Sequence, residues 1–203
     1  MDAGPVEIRI LGSLIEKQRT TADAYPLSLN SLRLACNQTT NRDPVVSYDE
    51  PTIRAALQEL STRKWVRLAS GPGSRAAKYR HLLDDALGLG PPELAVLAVL
   101  MLRGAQTPGE LKQRTERLHR FQTPDELDRT LSTLAARGFA ALQPRRPGQK
   151  EQRYVQLLGG GEDVSETPDL ARLDLEGRVA RLEEEIASLR RALDELKSST
   201  GPG

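Results

Sequence analysis

Along the chain, apolar side chains recur at spacings of three and four. Ile8, Leu11 and Ile15 do so near the N-terminus, and Leu94, Leu97 and Met101 do so again further on. That spacing predicts a helix with one buried face. Ile53, Leu57 and Leu60 form a second stripe, matched by Leu127, Leu131 and Leu134. Each second stripe gives way to two strand-like runs. The first pair is "WVRLA" and "AKYRHLL" around "SGPGSR"; the second is "FAALQ" and "QRYVQLL" around "PRRPGQK". Gly and Pro at the tips suit turns, so each pair predicts a β-hairpin.

The whole pattern occurs twice. Leu57 and Leu131, Leu60 and Leu134, Arg63 and Arg137, Trp65 and Phe139, and Leu68 and Leu142 are all 74 residues apart. After a slip of one residue, Tyr79 matches Tyr154. Upstream, Glu7 matches Glu93, Leu11 matches Leu97 and Lys17 matches Arg103, at an offset of 86. A short second helix fits between the two stripes of each copy. In the second copy it opens with "TPGE", where Thr107 caps, Pro108 sits at the first helical position and Glu110 completes a capping box. The third helix of that copy opens with "TPDE" (Thr123 to Glu126), the same device. In the first copy Pro51 cannot lie deep in a helix, which favours Asp49 as the cap.

Three helices followed by a hairpin is the winged-helix pattern, a relative of helix-turn-helix. The expected fold is mainly α with small β-hairpins (α+β). Two tandem units span residues 1–88 and 89–160, with no parallel sheet and no merged core. They join near "DDALGLGPP".

The first copy is 12 residues longer between its first and third helices. Pairing Leu32 with Leu111 places about seven of these around "TTADAYP" and about five around "NQTTNRDPV". From Asn37 to Asp43 no residue is apolar. Asn41, Asp43 and Ser47 can hydrogen-bond their own backbone and hold an ordered loop. A self-satisfied structural turn is one reading, and a loop that meets a ligand, DNA or a partner is another. Catalysis is the weakest, since no His is near and Asp43 has no nucleophile to serve.

"YPLSLNSLRLACNQTTNRDPVVSYDE" together with "RGAQTPGELKQRTERLHRF" resembles the bacterial YceH-like family over roughly residues 6–158. The resemblance implies the tandem winged-helix fold. The family is functionally uncharacterised, so it implies no activity and supplies no site residues.

Past a linker at 161–170, the segment 171–198 carries a heptad pattern, and 199–203 is expected to be a disordered tail. Val179, Ile186 and Leu193 fall at a; Leu182, Leu189 and Leu196 fall at d; Leu175 precedes them. β-Branched residues at a with Leu at d favour a parallel two-stranded coil, and the pairs Arg178–Glu183' and Glu185–Arg190' are attractive. The expected partner is a second copy. The other reading is one amphipathic helix folded back on its own domain.

Composition changes the picture in three ways. Aromatics are 3% of the 203 residues, so the core must be aliphatic. Net charge is +1, but unevenly spread: +2 over residues 1–90, +4 over 91–158 and −5 over 159–203. The lone Cys36 excludes an internal disulfide, and no apolar run resembles a signal peptide or a membrane span, so cytoplasm is the expectation. His81 and His119 lie on different units, and no spacing resembles a zinc site, a phosphate loop or a nucleophile–base pair. Neither enzyme activity nor a cofactor is expected, and Cys36 is expected in the core.

Basic residues carry the remaining signal. Arg67, Arg75, Lys78 and Arg80 lie on the first hairpin, and Arg145, Arg146, Lys150 and Arg153 on the second. Such wings can sit against phosphates. Between the second and third helices of unit 2, "KQRTERLHR" is expected to add Lys112, Arg114, Arg117 and Arg120. The third helices present Arg54, Gln58 and Arg129 opposite their apolar stripes, where they could read base edges. Their first turns are acidic, with Asp49, Glu50, Asp125, Glu126 and Asp128, which favours the helix dipole and repels phosphate. Two functions stay open: a dimeric DNA-binding regulator working through its wings, and a protein-interaction scaffold.

Overall fold

The computed structural model describes residues 3–69, 77–145, 149 and 151–159. The first helix, α1 (Pro5–Thr20), starts where Pro5 sits at a position whose N–H is spare, and the Glu7 side chain accepts from the Gly4 N–H. A short strand, β1 (Leu27–Ser28), leads into α2 (Leu29–Cys36), capped by the Ser28 hydroxyl. Helix α3 (Glu50–Thr62) is capped by Asp49, whose Oδ1 accepts from the Thr52 N–H at 2.9 Å, as the position of Pro51 predicted. Strands β2 (Val66–Leu68) and β3 (Lys78–His81) form the first hairpin. The second half contains α5 (Pro91–Arg103), α6 (Pro108–Thr115), α7 (Pro124–Ala136), β4 (Ala140–Gln143) and β5 (Arg153–Gln156).

Every strand pairing among the described residues is antiparallel. One sheet has the order β1-β3-β2, the other β4-β5. In the second half a single bridge between Gln106 and Tyr154 stands where β1 stands in the first. Each half therefore runs helix, short strand or bridge, helix, helix, hairpin. The repeat also has a visible physical cause. Arg63 stacks over the ring of Trp65 at 5.8 Å, and its counterpart Arg137 stacks over Phe139 at 4.8 Å.

Three features differ from the sequence reading. The two halves do not keep separate cores. Residues from both belong to one continuous apolar cluster, running from Leu11, Leu14 and Ile53 to Leu97, Leu100 and Leu131. The cause is that α1 packs on its own counterpart, α5. Helix α1 is buried from Glu7 to Ile15 without a break, and α5 from Leu94 to Leu102, because each has partners on more than one side. Gly12 permits the approach: a Cβ there would lie 2.9 Å from Leu102 Cγ. Second, the join is an ordered helix, α4 (Leu83–Leu87), ended by Gly88 in the left-handed region at φ 57°. Arg137 donates to the carbonyls of Leu87 and Gly88 there. Third, "TPDE" is only half a capping box. Thr123 Oγ1 accepts from the Glu126 N–H, but the Glu126 carboxylate turns to the Gln122 N–H and to His119.

Leu175, Val179, Leu182, Ile186, Leu189, Leu193 and Leu196, expected to form a coiled-coil seam, lie outside the described residues. No described helix is long and apolar enough to cross a membrane.

Candidate functional site

The first hairpin gathers positive charge on one face. Its register sets Arg67 directly opposite Arg80, and Val66 opposite His81. Lys78 precedes Arg80 by two residues, so the strand's alternation puts all three cations on the same side. Arg67 and Lys78 are exposed. Like charges directly opposed across a ladder repel. The Arg80 Nε is buried and has no hydrogen-bond acceptor among the described residues.

The root of this hairpin is fixed from inside. His81 is fully buried; its Nδ1 accepts from the Leu83 N–H at 3.3 Å, so the proton belongs on Nε2, which donates to Gln18 Oε1 at 2.6 Å. Burial pushes the imidazole down to about 4, against the opposing pull of Asp84, so it is neutral. The Tyr25 hydroxyl accepts from the His81 N–H at 2.9 Å.

The second hairpin is built differently. Arg153 faces Gln143, not another cation. Its Nη1 donates to Glu110 Oε2 at 2.7 Å and to the Ala105 carbonyl at 2.9 Å. This arginine braces α6 against the hairpin and is already engaged. Burial pushes the Glu110 carboxyl up, but the Thr107 N–H, Arg153 and Arg114 outweigh that and hold it below its ordinary value. Arg145 is exposed just past β4. Arg75, Arg146 and Lys150 lie outside the described residues.

On the third helices, Arg54, Gln58 and Arg129 occupy exposed positions. Arg54 Nη2 is paired with Glu50 Oε1 at 2.7 Å, one turn back, and Arg129 Nε donates to the Asp125 carbonyl at 3.1 Å. An exposed pair of this kind is worth only about 0.3–0.5 kcal/mol, so it can open to a competing anion.

The long loop between α2 and α3 is a structural insert. Asn37 exchanges two hydrogen bonds with the Tyr48 backbone, at 2.7 and 2.9 Å. Arg42 is buried and donates to Glu16, to Gln38 and to the carbonyls of Ala35 and Asn41. Arg9, buried on α1, donates to the Pro44 carbonyl at 2.6 Å. The Asp43 N–H donates to the Leu102 carbonyl at 2.8 Å, and Arg103 donates to Asn41 Oδ1. The residues expected to hold the loop, Asn41, Asp43 and Ser47, are thus joined or replaced by Asn37, Arg9 and Arg42. No sequence period marks those three, because each makes isolated contacts, 35 residues away for Arg9 with Pro44, 26 for Arg42 with Glu16 and 11 for Asn37 with Tyr48.

Cys36 is fully buried, and burial pushes its thiol up to about 11, so it is a core residue without thiolate character. His119 Nε2 lies 3.1 Å from Glu126 Oε1, and its ring stands edge-on to Phe121 at 4.8 Å. Among the described residues no group of three or more His, Cys, Asp or Glu could hold a metal.

A family model described as "Protein of unknown function, DUF480" matches residues 3–149. Relatives named UPF0502 protein align over most of both chains. One from Citrifermentans bemidjiense is 47% identical over 189 residues, covering 89% of this chain and 86% of the relative. One from Geotalea daltonii is 49% identical over 189 residues, with the same two shares. One from Opitutus terrae is 44% identical, covering 91% and 82%. The expected match to an uncharacterised family holds; the YceH-like name is carried by none of these.

Proposed function

We propose that this chain, which belongs to the DUF480 family of proteins of unknown function, is a non-enzymatic, dimeric, cytoplasmic winged-helix protein that binds duplex DNA and regulates transcription. The observation that carries the reading is Arg67 set directly against Arg80, with Lys78 beside them. Two arginines directly opposed on one hairpin face repel, and a polyanion laid against them would offset that repulsion. A row of phosphates supplies that charge, and a winged helix lays its hairpin beside the DNA backbone. In this reading each half is one winged helix. Arg54, Gln58 and Arg129 face the bases, and Arg145 adds a contact from the second wing. Arg75, Arg146 and Lys150, outside the described residues, are proposed as further phosphate contacts. The acidic turns at Glu50 and Asp125 limit how closely α3 and α7 approach phosphate.

The test is a fluorescence-anisotropy titration of labelled genomic duplexes at several salt concentrations. Each lost phosphate contact should lower the log–log salt slope by about 0.9. The double variant Arg67→Gln/Lys78→Gln is expected to weaken binding to all sequences and to flatten the slope by nearly two. Gln58→Ala should instead change preference between sequences, by about 1–3 kcal/mol where it makes a good base contact. No binding at low salt, or an unchanged slope in the double variant, overturns the reading.

A protein-interaction scaffold is supported by a different observation. Leu68 and Leu142, repeat counterparts on the two hairpins, are 58% and 44% exposed. Paired exposed leucines suit a protein partner better than a phosphate chain. A chain that fails the DNA titration but whose pull-down partner is lost in Leu68→Ser/Leu142→Ser would be a scaffold.

A further inference from the structure

Lys17 lies near the end of α1 and Arg103 ends α5, and the repeat makes them counterparts. Because α1 and α5 pack together, both open onto one cleft of about 620 Å³. Arg114 from α6 and Arg117 from the turn after it supply two more cations. Thr20, Gln38, Thr40 and Gln113 add hydroxyl and amide groups, and Val99, Leu102 and Leu118 are the apolar part of the lining.

The four cations are poorly neutralised. Glu16 also lines the cleft, but both its oxygens are held by Arg42, at 3.2 and 2.6 Å, and Lys17 is left 3.7 Å away. Glu110 holds Arg153 at 2.7 Å and the Thr107 N–H at 2.9 Å, which leaves Arg114 at 3.5 Å. Arg103 donates to a neutral amide, Asn41. Arg117 makes no ion pair among the described residues. Burial, and then the neighbouring Arg114, pull the Arg103 guanidinium below its ordinary value, against the opposing pull of Glu16 and Asp43.

We propose that this cleft binds a small phosphorylated anion. Arg103, Arg114 and Arg117 take the phosphate groups, and Lys17 with Gln38 closes the other side. The apolar lining receives the rest of the molecule. Guanidinium forks match phosphate oxygens, and the volume lies within the range of roughly 300–1,000 Å³ usual for small-molecule sites. A concave site favours a small ligand over the backbone of a polymer. The ligand would touch α1, the Gln38–Asn41 loop, α5 and α6 at once, so binding would fasten the two halves of the repeat. The site is independent of the hairpin face and does not need DNA binding to exist.

The test is isothermal titration of the full-length protein with inorganic pyrophosphate, and then with ATP, at ionic strength held constant with sodium chloride. One site per chain is expected. Arg103→Gln and Arg117→Gln should each weaken it about tenfold, the loss of one charge-assisted contact, and Arg67→Gln on the hairpin should leave it unchanged. Arg117 is exposed and makes no ion pair among the described residues, so its variant answers even where Arg103→Gln disturbs the loop. No binding of either probe, or affinity unmoved by both cleft variants, overturns the proposal. A competition arm with a short DNA duplex separates the sources of phosphate. If the duplex displaces pyrophosphate and itself binds less tightly to Arg117→Gln, the cleft belongs to a DNA backbone and the small-ligand proposal fails.

Discussion

Arg42 donates to both oxygens of Glu16, from Nη1 at 3.2 Å and from Nη2 at 2.6 Å, across 26 residues of chain. Its side chain is fully buried and that of Glu16 is 13% exposed. The pair ties the α2–α3 loop to the body of α1. Removing one member of such a pair leaves the other buried and uncompensated, which costs about 3–5 kcal/mol. Arg42→Met is therefore expected to lower urea-unfolding stability by about 3 kcal/mol at the least. Arg42→Lys keeps the charge but not the fork, and should recover only part of that. An unchanged urea midpoint for Arg42→Met would show that the loop is held by something else.

Gly12 marks the place where α1 meets α5. A Cβ there would lie 2.9 Å from Leu102 Cγ and 3.0 Å from Met101 Cβ, atoms near the backbone that cannot swing away. Alanine gains about 1 kcal/mol of helix propensity over glycine, and overpacking costs about 1–3 kcal/mol. Gly12→Ala should therefore be near neutral to mildly destabilising, whereas Gly12→Val should lose about 2 kcal/mol or more. Thermal unfolding of the two variants beside the parent separates them; a Val variant as stable as the parent would mean that the helices slide apart without cost.

His81 gives a pH dependence with a definite sign. Its unfolded value is 6.5 and burial lowers the folded one to about 4. Between those values the unfolded chain binds more protons. Stability is complete above the upper value and is lost as pH falls through the window, at up to about 1.4 kcal/mol per pH unit. His81→Gln removes the titrating group, so its stability should change less between pH 6.5 and 5 than that of the parent. Denaturant midpoints at four or five pH values measure this, and parallel curves would exclude His81 as the cause.

The heptad segment gives a prediction about assembly. Removal of residues 170–203 should convert a dimer into a monomer in sedimentation, because the a and d positions from Leu175 to Leu196 would go with it. A full-length chain that sediments as a monomer at micromolar concentration would end the coil reading.

The sequence exposed the periodic part of this protein and hid the part made of single contacts. Ile53, Leu57 and Leu60 recur at helical spacing, and Asp49 and Thr107 cap where Pro follows, so element type and order could be read directly. Arg63 with Trp65 and Arg137 with Phe139 stand out in the sequence as a repeat, and both arginines stack on their rings. The merged core did not appear, because an amphipathic pattern shows that a helix is buried but not by what. The unbroken apolar run "LAVLAVLML", buried throughout, is the sequence signal that α5 has neighbours on more than one side. Arg42 was unreadable for a related reason. An arginine inside a polar run looks solvated until the fold brings Glu16 and the Ala35 carbonyl to it. Among the candidate site residues, Lys78 and Arg80 were legible as members of the first hairpin, and its register shows that they share a side. The sequence could not show that Arg153, equally basic, was already taken by Glu110.

The contact between α1 and α5 also makes each half an incomplete object. A chain opened at residues 88–90 would yield two fragments, each with a long apolar helix face stripped of its cover. Each would be sticky alone, and each would find its best cover in the other or in a second copy of itself. The molecule is thus suited to use as a split reporter: two pieces whose reunion is driven largely by one helix-on-helix face. It also means that neither half is free to drift in sequence along that face without an answering change in its twin.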